Sequence, residues 1–301
     1  MAQHVAIQSE HYVKGKHAWV RFAGSLLLVS SLLAGFAGSQ EASALALQSQ
    51  QFHQSAQQRA GVLIPLYQYP ANVHTNASFN RVIELKREHP TIPFWIIVNP
   101  ATGPGVQVDA NYTKAIDRLL GAGCVVLGYI STEYGNRRIS DVETDLTRWR
   151  ELYPRVQGVF FDEMVYENTA SKVEHQVKLK TAAAKRGYWP VVANPGTDTP
   201  EPYFKNAAAD VIVVHESDRW PEESRLHGNY FGGYSDYPPH TRAVLVHSMK
   251  ELSPAKIQWI CKYAKWVYVT HDEYRVNDPK APNPWDDLSI HLEALCKQLE
   301  K

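Results

Sequence analysis

Cysteine and methionine are scarce: three of each in 301 residues. Cys124, Cys261 and Cys296 form no C-x-x-C pair, so a structural zinc site of the usual spacing is not expected. Three thiols cannot build a disulfide framework. One bridge, Cys261–Cys296, is left open by two C-terminal helical stretches, while Cys124 sits in an apolar run and reads as a small buried hydrophobe. An excess of either charge is also missing. The 31 Lys and Arg balance 31 Asp and Glu, and no basic block stands in the chain, so nothing points to nucleic acid. Neither G-x-G-x-x-G nor G-x-x-x-x-G-K-[ST] follows the first strand pattern, which removes support for a nucleotide-binding sheet. Hydrophobic residues make up 44% and charged residues 21%, an ordinary globular composition that argues against disorder. The 16 Tyr and 8 Trp suit ring stacking on sugars, and suit a large core equally well.

The N-terminus reads as an export segment. Lys14, Lys16 and Arg21 precede an apolar run at 22–37, and Ala42-Ser43-Ala44 resembles a cleavage site. Residues 1–44 are therefore expected to be a signal peptide or an uncleaved membrane anchor, and the protein to be secreted or periplasmic, with a membrane tether as the second form. Residues 45–58 are polar and Gln-rich and read as a linker.

From residue 59 onward one unit recurs. A short β-branched or aromatic run is followed by a loop and a helical pattern. The runs fall at 61–67, 94–98, 124–129, 158–161, 189–193, 211–214, 243–246 and 266–269. They are continuous rather than alternating, as parallel strands covered on both faces should be. Helix signals stand between them. Ser78 precedes an apolar stripe, another stripe stops at Gly121, and Ser140-Asp141-Val142-Glu143 has the form of a capping box. Gly187 follows a helical pattern, and Ser253-Pro254 opens another. Eight such alternations in about 240 residues predict a single α/β domain at 59–301, a (β/α)8 TIM barrel. An open doubly wound sheet is the alternative.

In such barrels the chemistry stands at the C-terminal ends of the strands. Here every apolar run is capped there by polar residues. The sharpest case is Phe160-Phe161-Asp162-Glu163, followed by Val213-Val214-His215-Glu216. Carboxylates directly after buried strands are costly unless paired or neutralised. Acids on the fourth and sixth strands could face each other across the mouth, as glycoside hydrolysis requires. Asp162 and Glu163 would point to opposite sides of a regular strand, so both reach one pocket only if the chain bends. His215, His247 and His271, with Asp272, keep a metal site open as an alternative, although no H-E-x-x-H spacing supports it. The long segment 217–240 carries Trp220, Tyr230, Phe231, Tyr234 and Tyr237 among acids and glycines, a composition suited to a sugar groove or to packing on the rim.

Five ordered stretches carry a family resemblance: 97–105 (IVNPATGPG), 128–137 (GYISTEYGNR), 158–163 (GVFFDE), 193–197 (ANPGT) and His215-Glu216. The sequence resembles the spherulin-4 family, grouped as glycoside hydrolase family 135. That resemblance implies a (β/α)8 hydrolase of α-1,4-linked galactosamine or N-acetylgalactosamine polymers, such as galactosaminogalactan or another biofilm exopolysaccharide. It implies catalytic roles for Asp162, Glu163 and Glu216. On this reading Asp162 is the nucleophile or electrostatic stabiliser, Glu216 the general acid/base, and Glu163 their tuner, with retention of configuration expected. Tyr67, Asn99, Tyr129, Asn194, Trp220, Tyr230, Tyr234 and His247 are the candidate substrate contacts. A polysaccharide is the expected partner, with no nucleic acid and no cofactor, and the protein is expected to be a monomer. A non-catalytic polysaccharide-binding surface protein and a metal-dependent deacetylase are the competing functions.

Overall fold

In a computed structural model of the chain, residues 59–72, 75–227, 236–274 and 283–301 are described. The export segment and linker expected at 1–58 lie outside them, as do Tyr230, Phe231 and Tyr234. None of the helices among the described residues is long and apolar enough to cross a membrane.

Eight parallel strands close into a barrel in strict chain order. The order runs β1 (Gly61–Pro65), α1 (Ala77–Glu88), β2 (Phe94–Val98), α2 (Ala110–Gly121), β3 (Val125–Ser131), α3 (Ile139–Leu152), β4 (Gly158–Asp162) and α4 (Ala170–Lys185). It continues through β5 (Val191–Asn194), α5 (Glu201–Lys205), β6 (Val211–Ser217), α6 (Glu223–His227), β7 (Arg242–Val246), α7 (Pro254–Ile260), β8 (Trp266–Val269) and α8 (Leu292–Leu299). All eight apolar runs are strands, and the open-sheet alternative falls away. Their ends differ by a few residues: β1 stops at Pro65, whereas β3 and β6 run on through polar residues to Ser131 and Ser217.

Local chemistry accounts for the helix ends. Ser253 caps α7, its hydroxyl accepting the Lys256 N–H, with Pro254 at the first position. Gly187, at φ +75°, lies just past the C-cap of α4. Three expectations need correction. The cap of α1 is Asn76 rather than Ser78, its side chain accepting the Phe79 N–H at 3.1 Å. Helix α2 runs through Gly121, and the left-handed glycine after it is Gly123. Helix α3 begins at Ile139, so Ser140 lies inside its first turn. Arg138 is the N-cap of this helix, so Ser140 forms no capping box with Glu143, and Asp141 is engaged by the Arg138 guanidinium at 2.9 and 3.0 Å. The three cysteines are free, so the Cys261–Cys296 bridge is absent.

Both faces of the strand wall are buried, which is why the runs show no alternation. Three tryptophans fill the lower barrel. Trp95 stacks on Trp266 with centroids 3.4 Å apart and meets Trp189 edge-on at 6.2 Å. On the outside, Trp149 of α3 presses against β3 where Gly128 has no side chain, and its indole donates to the Tyr129 carbonyl at 3.0 Å. A Cβ on Gly128 would lie 2.5 Å from that ring. Gly128→Ala should therefore destabilise the fold by about 1–3 kcal/mol through overpacking. Thermal melting checks this, with Tm expected to fall by several degrees.

Candidate active site

Strand register brings the polar groups together. Ser131, Asp162 and Asn194 are matched across β3, β4 and β5, two residues beyond the matched Tyr129, Phe160 and Val192. Residues two apart along a strand share a face. Phe160 and Asp162 therefore share a face, as do Val192 and Asn194, and the side chains of Tyr129, Asp162 and Asn194 meet at the mouth.

Two backbone departures recruit the other acids. Glu163 adopts φ +55°, a left-handed conformation unusual for a residue with a side chain. The chain turns there, and the Glu163 carboxylate accepts a short hydrogen bond from the Ser131 hydroxyl. Thr132 secures the turn, donating its hydroxyl to the carbonyls of Asp162 at 3.0 Å and Glu163 at 2.8 Å. On β6 the register against β7 slips between Val213 and His215. Val213 is matched to Ala243, but Glu216 to Leu245, two steps further on. One extra residue in β6 reverses the alternation, so Glu216 rather than His215 shares the face of Val213.

The centre of the site is one side-chain amide. Asn194 Nδ2 donates to Asp162 Oδ1 at 2.8 Å and to Glu216 Oε2 at 2.6 Å. The two oxygens can be no further apart than those distances laid end to end. Gly196, at φ +67°, turns back to donate its N–H to Asn194 Oδ1 at 3.0 Å, which sets the orientation of the amide. Asp162 Oδ2 accepts from the Tyr129 hydroxyl at 2.8 Å, and Tyr67 meets Tyr129 edge-on at 5.7 Å. Glu216 Oε1 accepts from the Trp285 indole at 3.0 Å.

These surroundings divide the acids electrostatically. Desolvation, and secondarily the Asp162 charge, push Glu216 up to about 7, against the hydrogen bonds from Asn194 and Trp285. Desolvation also raises Asp162, but hydrogen bonds from Tyr129, the Glu163 backbone and Asn194 oppose it. Burial, followed by the Asp162 charge, holds the hydroxyls of Tyr67 and Tyr129 above the ordinary phenol range, so both act as donors or neutral contacts. Glu216 can therefore keep a proton near neutral pH.

Other expected residues stand elsewhere. Asn99 is tied to its own loop, its side chain accepting the Gly103 N–H at 3.0 Å and its carbonyl accepting from Tyr112. Trp220 is half-buried against the core. His247 packs edge-on to Trp285 at 5.7 Å, and burial lowers its pKa. His215 is bonded through Nε2 to the Arg219 carbonyl at 2.7 Å, and His271 faces the ring of His291 at 6.3 Å. Among the described residues no three His, Cys, Asp or Glu side chains converge on a point that could hold a metal ion.

Sequence reasoning missed Trp285, Ser131 and Thr132 as site residues. Trp285 lies between β8 and α8, in the last of the loops that follow barrel strands, and that position was the available signal. Its segment is pinned at Asp287. Asp287 N–H donates to Asp272 at 2.9 Å, and Gln68 donates to Asp287 at 3.0 Å. Trp285→Phe keeps most of the ring packing but removes a donor from the ionised Glu216. The Glu216 pKa should rise by about one to two units, since a hydrogen bond to a charged group is worth about 1.5–3 kcal/mol. Titration of the carboxyl carbon by NMR in both proteins measures the shift, and identical curves would remove Trp285 from this role.

Comparisons with known proteins agree with this architecture. The family model Spherulin4, described as spherulation-specific family 4, matches residues 61–299. Spherulin-4 of Physarum polycephalum is 30% identical over 171 residues, which cover 56% of this chain and 47% of that protein, so the chain spans about half the length of this relative. Among solved structures, Aspergillus clavatus Sph3, crystallised in complex with GalNAc, superposes with a TM-score of 0.67 at 23% identity, covering 81% of this chain and 98% of Sph3. At that identity the likeness establishes the shared fold. With a match that runs from the first strand of the barrel to its last helix, the chain belongs to spherulation-specific family 4.

Proposed function

We propose that the protein is an endo-acting glycoside hydrolase that cleaves α-1,4-linked N-acetylgalactosamine or galactosamine exopolysaccharide with retention of configuration. The observation that carries this reading is the Asn194 amide shared by Asp162 and Glu216. Retaining glycosidases hold two carboxyl groups about 5–5.5 Å apart, whereas inverting enzymes leave about 6.5–9.5 Å for a water molecule. One amide nitrogen bonded to both acids favours the closer pairing.

In this mechanism Glu216, held at about 7, keeps its proton at mildly acidic pH and delivers it to the glycosidic oxygen. Asp162, charged and oriented by Tyr129 and Asn194, attacks the anomeric carbon or stabilises the oxocarbenium-like transition state. Glu216, now a base, then activates the water that releases the product. Glu163, fixed on Ser131, adds a negative charge that acts on Asp162. The sugar assignment draws on the relative crystallised with GalNAc and on the family resemblance. The apolar segment at 22–37 fits an enzyme exported to meet such a polymer. A polysaccharide-binding surface protein would need the rim aromatics but not this acid pair.

The test is product analysis by mass spectrometry on a partly acetylated α-1,4-galactosaminan. Oligosaccharides are expected from the wild type. Rates should fall by about 10²–10⁴-fold in Glu216→Gln, the usual contribution of a general acid/base, and at least comparably in Asp162→Asn. Full activity in both variants would end this assignment, and intact polymer that co-sediments with the protein would favour the binding reading. Activity should decline as pH rises through about 7, because Glu216 then loses the proton it must donate. An inverted anomer in the first product seen by NMR would refute retention.

A further inference from the structure

The loop after β3 is strained at two successive residues. Glu133 has φ +50° and Tyr134 φ +53°, a left-handed pair in which neither residue is glycine. Such a conformation is costly for side-chain-bearing residues and persists only where its surroundings enforce it. The enforcement here comes from the acid site. Tyr134 N–H donates to the Glu163 carbonyl at 2.6 Å, Gly135 N–H to the Thr132 carbonyl at 3.0 Å, and Thr132 N–H to the Asp162 carbonyl at 2.9 Å. Gly135 also packs closely on Val165, where an added Cβ would lie 3.0 Å away. The bend at Glu163 and the bend at Tyr134 are therefore locked to each other.

This lock presents an aromatic pair at the surface. Tyr134 is 46% exposed and Tyr166, just beyond β4, is 41% exposed. Their rings meet edge to face, with centroids 6.4 Å apart and planes at 89°. The charges of Glu163, Asp162 and Glu216 all act on the Tyr134 hydroxyl, so the ring stands within electrostatic reach of the acids. A core role does not explain rings exposed to this degree, and a loop tip without function would not need two left-handed residues in succession.

Building on the glycosidase reading, we propose that Tyr134 and Tyr166 form a saccharide-stacking subsite beside the acid pair. Its occupant is a hexosamine ring next to the scissile bond, whose apolar C–H face covers the exposed aromatic surface. Two rings at right angles make a corner that offers one face for stacking and one edge for steering the chain. The strained backbone fixes the distance from that corner to Asp162 and Glu163. Tyr134 is then a substrate-contacting residue that acts through binding, so its loss should raise KM and leave kcat nearly unchanged.

The test compares Tyr134→Asn, Tyr134→Phe and Tyr166→Ala with the wild type on long oligosaccharides of the same polymer. Asn tolerates the left-handed conformation, so the loop can keep its shape. Tyr134→Asn and Tyr166→Ala should raise KM about tenfold, near the upper end of what one aromatic contact supplies. Tyr134→Phe should behave as the wild type. An unchanged KM in Tyr134→Asn with a wild-type melting curve would overturn the subsite, as would an equal loss in Tyr134→Phe. If Tyr134→Asn fails to fold, an unchanged KM in Tyr166→Ala overturns it alone. A wild type that leaves the polymer intact defeats the glycosidase reading only. Calorimetric binding of the same oligosaccharides then decides the subsite. Binding weakened in Tyr134→Asn but not in Tyr134→Phe supports it, and equal binding, or none by the wild type, refutes it.

Discussion

The site depends on one amide group that must satisfy two carboxylates at once. Asn194 Nδ2 carries two hydrogens and gives one to Asp162 and one to Glu216. Two acids brought this close in a poorly solvated mouth cannot both be charged without a large penalty. The amide lowers that penalty, and the unequal donors around the pair settle where the proton resides. Asp162 has the Tyr129 hydroxyl, the Asn194 amide and a backbone N–H, whereas Glu216 has the Asn194 amide and the Trp285 indole. Desolvation raises both acids, and Glu216 is driven up to about 7. The shared amide thus sets the spacing, the donors around it distinguish the two acids, and its own orientation comes from the Gly196 N–H.

The barrel supplies the frame for this arrangement through register. Parallel pairing aligns Ser131, Asp162 and Asn194 in one row. Regular strands would nonetheless have failed to assemble the site. Alternation would direct Glu163 away from Asp162 and turn His215 rather than Glu216 inward. The left-handed turn at Glu163 and the register slip in β6 overcome both problems. Backbone irregularities that look like defects in the strands are the features that bring a second and a third carboxylate to the mouth.

Much of the fold was legible in the residues. Eight apolar runs separated by helical stripes read as a barrel because burial on both faces removes alternation, and the runs at 94–98 and 266–269 coincide with β2 and β8 to the residue. Helix caps were less legible, since a cap depends on which of several nearby polar side chains wins the backbone N–H. Asn76 won over Ser78, and Ser140 lies one position inside a helix that begins at Ile139. In the site, the polar strand ends named Asp162, Glu163, Glu216, Tyr129 and Asn194, all of which the structure brings together. Asn99, by contrast, has its side chain taken by its own loop.

The sequence by itself determined the periodicity, the set of eight strand–helix units and the acids at their strand ends, because these follow from local hydrophobic pattern and from the cost of burying charge. Tertiary structure alone decided that the barrel closes, which acids face one another, that burial drives Glu216 upward, and that Trp285, more than sixty residues from Glu216 along the chain, completes the site. Those properties depend on distances across the barrel mouth and on single-residue changes of register. Local pattern carries no record of either, because one inserted residue reverses the direction of every side chain after it without altering the hydrophobic run.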